Sequence, residues 1–143
     1  MKVADILKEK SAALITVHAT ESLKNAISKL DYERIGAMLV VNEAHVLVGM
    51  LSERDLIGVL AEYGERALAA NVGALMTKHV YGCVPDDEIK DVMAWMVHYR
   101  VRHLPVVEDG KVRSVISIGD VVKHLIDKAE KEPTVLDAVP VAG

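Results

Sequence analysis

The heptapeptide Gly49-Met50-Leu51-Ser52-Glu53-Arg54-Asp55 closes one apolar run and opens an amphipathic one. Val46, Leu47, Val48, Met50 and Leu51 read as a buried strand, and Ser52 falls where an N-cap hydroxyl is wanted. Glu53 and Asp55 then occupy a first helical turn, where the macrodipole favours negative charge, and Leu56, Ile57, Val59 and Leu60 form the apolar side. One copy of such a stretch is a helix cap. The chain holds a second: Ser114-Val115-Ile116-Ser117-Ile118-Gly119-Asp120 repeats it before another apolar helix.

The duplication extends in both directions. A helix over 22–32, behind a Thr20 cap with Glu21 in its first turn, shows Leu23, Ala26, Ile27 and Leu30 at helical spacing; Ile89, Val92, Met93 and Met96 return it 66 residues on, in a helix opened by Pro85-Asp86-Asp87-Glu88. Strand 37–41 has its counterpart in Leu104-Pro105-Val106-Val107, and Val3-Ala4-Asp5-Ile6-Leu7 in Val72-Gly73-Ala74-Leu75-Met76. The strand-like Leu14-Ile15-Thr16-Val17 is matched by a connecting strand within 77–84. Residues 1–63 form a first repeat, 64–71 a linker, 72–129 a second repeat, and 130–143, with Pro133 and Pro140, an irregular tail. Neither repeat is large enough to bury both faces of a small sheet. The two should pack sheet to sheet about a pseudo-twofold axis, with the motif turns lining clefts between them.

At 143 residues the chain has room for one compact unit or two very small ones. Half its residues are apolar, Phe is absent and aromatics make up 3%, so any surface against which a base could stack should be mostly aliphatic. A formal charge of −4 argues against a general nucleic-acid binder. The lone Cys83 can form no internal disulfide, and neither a leader nor a membrane-length apolar run is evident. No nucleic acid or membrane partner is expected, and a cytoplasmic location is. The scattered histidines and single cysteine make no metal pattern. Walker A, Gly-x-Gly-x-x-Gly and nucleophile-elbow patterns are also missing, which argues against an enzyme.

On these residues the chain resembles the CBS-domain family, named for cystathionine β-synthase, and in particular its tandem pairs, called Bateman modules. The family signature of Gly, two apolar residues, Ser or Thr, two variable residues and Asp is met throughout 49–55; the second copy has Ser114 where Gly is usual. Arg-His-Leu-Pro-Val and Ser-Ile-Gly-Asp are similar to segments of small stand-alone bacterial members that bind AMP or NAD. The resemblance implies an α/β (α+β) fold of two βαββα-type repeats, and a regulatory module sensing AMP, ATP or NAD without catalysis of its own. Asp55 and Asp120 would accept bonds from ribose hydroxyls, since a carboxylate can take a vicinal diol. Ser52 and Ser117, with the helix-start N–H groups, would meet phosphate. Arg54 would add a phosphate contact that Gly119, its counterpart among the nucleotide-binding residues of the second cleft, cannot, leaving that cleft to Arg102 and His103. Thr77 and Gly82 should approach the first motif, and Lys8 and Gly36 the second. A homodimer formed through the flanking helices, burying Trp95 or Met96, and a regulated protein partner are further implications. The alternative is a ligand-free dimerisation or interaction module with vestigial clefts, and for the two aspartates a plain helix-start role.

Overall fold

The computed structural model describes residues 1–10, 14–129 and 138–143. Its elements run α1 (Val3–Glu9), β1 (Thr16–His18), α2 (Leu23–Glu33), β2 (Ala37–Val41), β3 (Leu47–Ser52), α3 (Glu53–Tyr63), a 3-10 turn (Gly64–Ala69), α4 (Val72–Leu75), α5 (Ile89–Tyr99), β4 (His103–Glu108), β5 (Lys111–Ser117) and α6 (Ile118–Lys128). This is the mixed α+β repeat that the duplicated pattern implies. Residues 130–137 of the expected tail lie outside the described residues.

In the first sheet β2 is central, parallel to β1 and antiparallel to β3. All five residues of β2 are buried, as suits a strand covered on both faces. Behind it Leu23, Ala26 and Leu30 of α2 pack on Val17, Met38, Val40 and Leu51. Ala37, Leu39 and Met50 point the other way, against Val80, Val112 and Val115 of the second half, so the sheets do meet face to face. Val46, read from the sequence as buried, is exposed in the turn before β3.

The second sheet has two strands, β4 and β5, rather than three. The segment expected as a strand within 77–84 contributes two isolated bridges, Met50 with Thr77 and Cys83 with Val106. Proline explains the difference. After β1 the ladder continues with Ala19 N–H donating to Val41 C=O (3.0 Å), whereas Ala19's counterpart is Pro85, which has no N–H to donate. Cys83 alone holds the register, its N–H on Pro105 C=O (2.9 Å) and its C=O on Val107 N–H (2.8 Å).

Two helix starts also differ from expectation. The cap of α2 is Ser22, whose Oγ accepts from Asn25 N–H at 3.2 Å, not Thr20. Glu21 stands before the helix and accepts from His18 N–H at 2.7 Å. Residues 85–87 form a turn, with Val84 N–H donating to Asp87 Oδ2 at 2.8 Å, and α5 starts only at Ile89.

The short leading helices are exchanged between halves. Val3 and Ile6 of α1 pack with Ile89, Val92, Met96, Leu104 and Val121 of the second half, and Val3 N–H donates to Asp87 C=O at 2.9 Å. Val72 of α4 lies in the first half's core, its N–H on Glu21 C=O at 2.8 Å. Each half is therefore completed by chain from the other.

Candidate functional site

The two motif turns are built alike. Ser52 Oγ accepts from Asp55 N–H (3.3 Å) and donates to Asp55 Oδ2 (2.9 Å), which also accepts from Ser52 N–H (3.0 Å). Ser117 and Asp120 form the same box, at 3.1 Å and 2.8 Å. These bonds satisfy N–H groups that a helix start otherwise leaves unpaired. Both aspartates thus cap their helices, and each stays half-exposed with its carboxylate at the lip of a cleft.

Gly49 sets the position of the first cleft's far wall. A Cβ built on it would stand 2.5 Å from Met76 Sδ and 2.8 Å from Thr77 C=O, so a side chain would collide with the passing segment. With Gly49 bare, Met50 and Thr77 exchange two backbone hydrogen bonds of 2.9 Å each. Thr77, His79 and Tyr81 consequently face Ser52, Arg54 and Asp55 across a cavity of about 480 Å³. Its remaining side is Arg100, Arg102 and His103, at the entry to β4.

Arg100 is held there by its backbone. It ends α5 in the left-handed region (φ 55°), as Arg34 ends α2 (φ 54°), although that conformation costs an ordinary residue about 1–2 kcal/mol. The next residue offsets the strain in each case: Ile35 N–H donates to Leu30 C=O (3.1 Å) and Val101 N–H to Met96 C=O (3.0 Å), the bonds of a Schellman-type ending.

A second cavity of about 280 Å³ lies beside the other motif, lined by Lys10, Arg34, Gly36, His103, Ser114, Ser117 and Asp120 among others. Lys10 Nζ donates to Asp120 Oδ2 at 2.7 Å and also bonds Val115 C=O. Burial pushes the Asp120 carboxyl up, but Lys10 and the Ser117 N–H together outweigh it and hold the group below its usual range. His103 lines both cavities, its Nε2 3.0 Å from where a Gly36 Cβ would stand. Burial, aided by Lys10, lowers its pKa and favours the neutral ring.

The structure therefore gathers Ser52, Arg54, Asp55, Thr77, Gly36, Arg102 and His103 at the first cleft, and Ser117, Asp120, Gly36 and His103 at the second. Arg102, expected at the second cleft, lines the first. Three other positions depart from expectation. Lys8 is exposed beside Asp5 (3.7 Å), because α1 continues to Glu9 and turns it outward; Lys10, extended at the helix end, reaches the second motif instead. Gly82 lies against Pro105 C=O and lines a smaller hollow with Trp95 and Leu104. Gly119 is exposed on α6 and lines neither motif cleft.

The aliphatic expectation for the cleft walls also needs correction. Tyr81 and Tyr99 stack at 3.9 Å between centroids (18° interplanar) and His79 meets Tyr81 edge-on at 4.9 Å, all three lining the first cavity. Low aromatic content hid them. The local signals were the alternation of His79 with Tyr81 along an extended segment, and Tyr99 next to a helix-ending arginine.

Two exchanged α+β repeats, each turning from strand into a Ser-capped, Asp-bearing helix, define a paired module with symmetry-related clefts. The chain belongs to the CBS-domain family, whose profile, "CBS domain", matches residues 3–62 and 72–127. Among solved structures it is similar to a CBS-domain containing protein from Agrobacterium tumefaciens (37% identity, TM-score 0.85, covering 87% of this chain and 93% of that one). It is also similar to the CBS domain pair of protein MJ0100, solved in complex with 5′-methylthioadenosine and S-adenosyl-L-methionine (26% identity, TM-score 0.78, covering 90% and 98%). A curated relative is the mitochondrial CBS domain-containing protein CBSX3 of Arabidopsis thaliana, 26% identical over 95% of this chain and 70% of its own length. No helix among the described residues is long and apolar enough to cross a membrane.

Proposed function

We propose that this chain is a regulatory module that binds an adenosine nucleotide in the first cleft and does no chemistry on it. One observation carries the reading: Asp55 and the Ser52 helix start share a single cavity with Arg54, Arg100, Arg102 and His103. Asp55 Oδ2 is engaged in the cap, while Oδ1 has no partner among the described residues and is available to a ribose hydroxyl. Three arginines against Glu53 and Asp55 favour an anionic ligand, and guanidinium pairs well with phosphate. Tyr81 and Tyr99 offer a flat apolar wall to a base. The adenosine ligands of the MJ0100 pair support the same class; AMP, ATP and NAD are the members to be compared.

The test is a thermal-shift comparison of AMP, ADP, ATP, NAD and S-adenosylmethionine with inorganic phosphate and uridine monophosphate. A ligand at a hundredfold excess over its Kd stabilises the fold by roughly 2.7 kcal/mol. For a chain of this size that is a rise of about 8–11 °C. Asp55→Ala should abolish the adenine-dependent shift while costing about 0.5–2 kcal/mol as a lost capping partner. A flat response to every adenosine ligand, from protein shown to carry none, would overturn the reading.

We also propose that two copies pair through the flanking helices. Ile57 (72% exposed), Leu60 and Tyr63 of α3, Val97 (72%) of α5, and Ile118 and Val122 of α6 leave apolar surface uncovered. Of the Trp95 or Met96 expected at that interface, Met96 is buried within the chain, while Trp95 is half-buried against the same core. Sedimentation at micromolar concentration should show a dimer, and a monomer alone would refute the pairing.

A further inference from the structure

We infer that Lys10 decides which cleft takes a nucleotide, by occupying Asp120 and leaving the first cleft as the ligand site. The inference rests on the adenosine reading of Asp55 and extends it to stoichiometry.

The internal repeat supplies the comparison. The sequence pattern aligns Met76 with Leu7, but α1 runs three residues longer than α4, so the structural equivalent of Met76 is Lys10: each follows its short helix in an extended conformation (ψ 134° and 157°) and donates its N–H four residues back, to Ile6 and Val72. At the first cleft the position carries an uncharged thioether whose sulfur lies over Gly49. At the second it carries an ammonium group that bridges Asp120 Oδ2 and Val115 C=O, beside Ser114 in place of glycine. Among the described residues nothing equivalent touches Asp55, whose bonds there come from its own cap.

Both partners of the pair are about two-thirds covered, at 33% and 30% side-chain exposure, so it is less screened than a surface ion pair. A ribose diol approaching Asp120 must compete with an ammonium ion already held by two acceptors, one of them charged. It offers neutral hydroxyls in return, and charge-assisted bonds are the stronger. Displacing Lys10 would also break its bond to Val115 C=O. The second cavity, at about 280 Å³ against 480 Å³, has less room for both the lysine and a ligand.

The experiment is calorimetric titration with AMP, ADP and ATP in turn on the full chain, its Lys10→Met variant, which copies the first cleft, and Lys10→Ala, which opens the space without adding bulk. Circular dichroism verifies the fold of each. The wild-type chain should bind one equivalent, lost in Asp55→Ala and kept in Asp120→Ala. At least one Lys10 variant should bind a second equivalent at least tenfold more tightly than the wild type does, and adding Asp120→Ala should remove it. Two equivalents in the wild type, a single one that depends on Asp120, or one equivalent in both Lys10 variants would overturn the inference and leave the adenosine reading standing. Silence toward all three nucleotides in every protein would overturn both.

Discussion

Replacing Gly49 with alanine tests whether the first cleft depends on the close passage of residues 76–77. The added methyl would sit 2.5 Å from Met76 Sδ, 2.8 Å from Met76 Cγ and 2.8 Å from Thr77 C=O. Met76 can swing away at modest cost, but the carbonyl is backbone, and it accepts one of the two 2.9 Å bonds joining Thr77 to Met50. Overpacking of this kind costs about 1–3 kcal/mol, and a weakened backbone bond about 0.5–1.5 kcal/mol. A total of about 2–4 kcal/mol corresponds to a fall in Tm of roughly 6–16 °C. Gly58, in the middle of α3, is the internal control: a Cβ there meets nothing within 4 Å, so Gly58→Ala should stabilise by about 0.5–1 kcal/mol. Urea unfolding followed by circular dichroism would measure both. If Gly49→Ala lost less than about 0.5 kcal/mol, or if the two variants moved together, the close-approach argument would fail.

Two further predictions follow from buried titratable groups. His103 is held neutral by burial, so its folded pKa lies below the unfolded value of about 6.5. The unfolded chain then binds the proton first: the contribution is intact above pH 6.5 and is lost as pH falls from there toward the folded value. His103→Gln should flatten that limb in unfolding measurements, and an NMR titration placing the ring pKa at or above 6.5 would refute the account. Burial, with Asp87 nearby, pushes the Cys83 thiol up to about 12. Aromatic disulfide reagents at pH 8 should therefore label it only as fast as the fold opens, and prompt stoichiometric labelling of native protein would contradict its burial.

What the sequence made legible was what it stated twice. A Ser with an Asp three residues on is an ordinary cap by itself, but Ser52–Asp55 and Ser117–Asp120 recur at matching places in the repeat, and both are capping boxes. The apolar spacing of α2 and α5 was equally readable, because Leu23, Ala26 and Leu30 fill in the first core the place that Ile89, Val92 and Met96 fill in the second. Features that depend on which half a segment joins were not readable. Val3 and Ile6 would suit either core; backbone bonds from Val3 and Ala4 to Asp87 and Pro85 place them in the second. Lys8 and Lys10 differ by two positions, and only the extent of α1 determines which one reaches Asp120. The missing sixth strand was visible in principle, since Pro85 stands where Ala19 donates a ladder bond.

The exchange of α1 and α4 also bears on how occupancy of a cleft would be felt elsewhere. The first cleft takes Ser52 and Asp55 from one half, and Arg100, Arg102 and His103 from the other, with Thr77 arriving straight from the exchanged α4. A ligand bound there would hold the halves at a fixed separation, and its binding free energy would become stability of their shared face, where Leu39 and Met50 meet Val112 and Val115. His103 lines this cleft and the second cavity alike. Its ring abuts Gly36, which lines both clefts, and Lys10 is the foremost charged group acting on it, ahead of Glu53, Asp120 and Arg102. A phosphate seated beside His103 would favour its protonated form. Protonation would in turn place a cation next to the Lys10 ammonium, whose own partner is Asp120, and loosen that pair. The same contact that keeps the second aspartate occupied is thus the one a ligand in the first cleft would perturb.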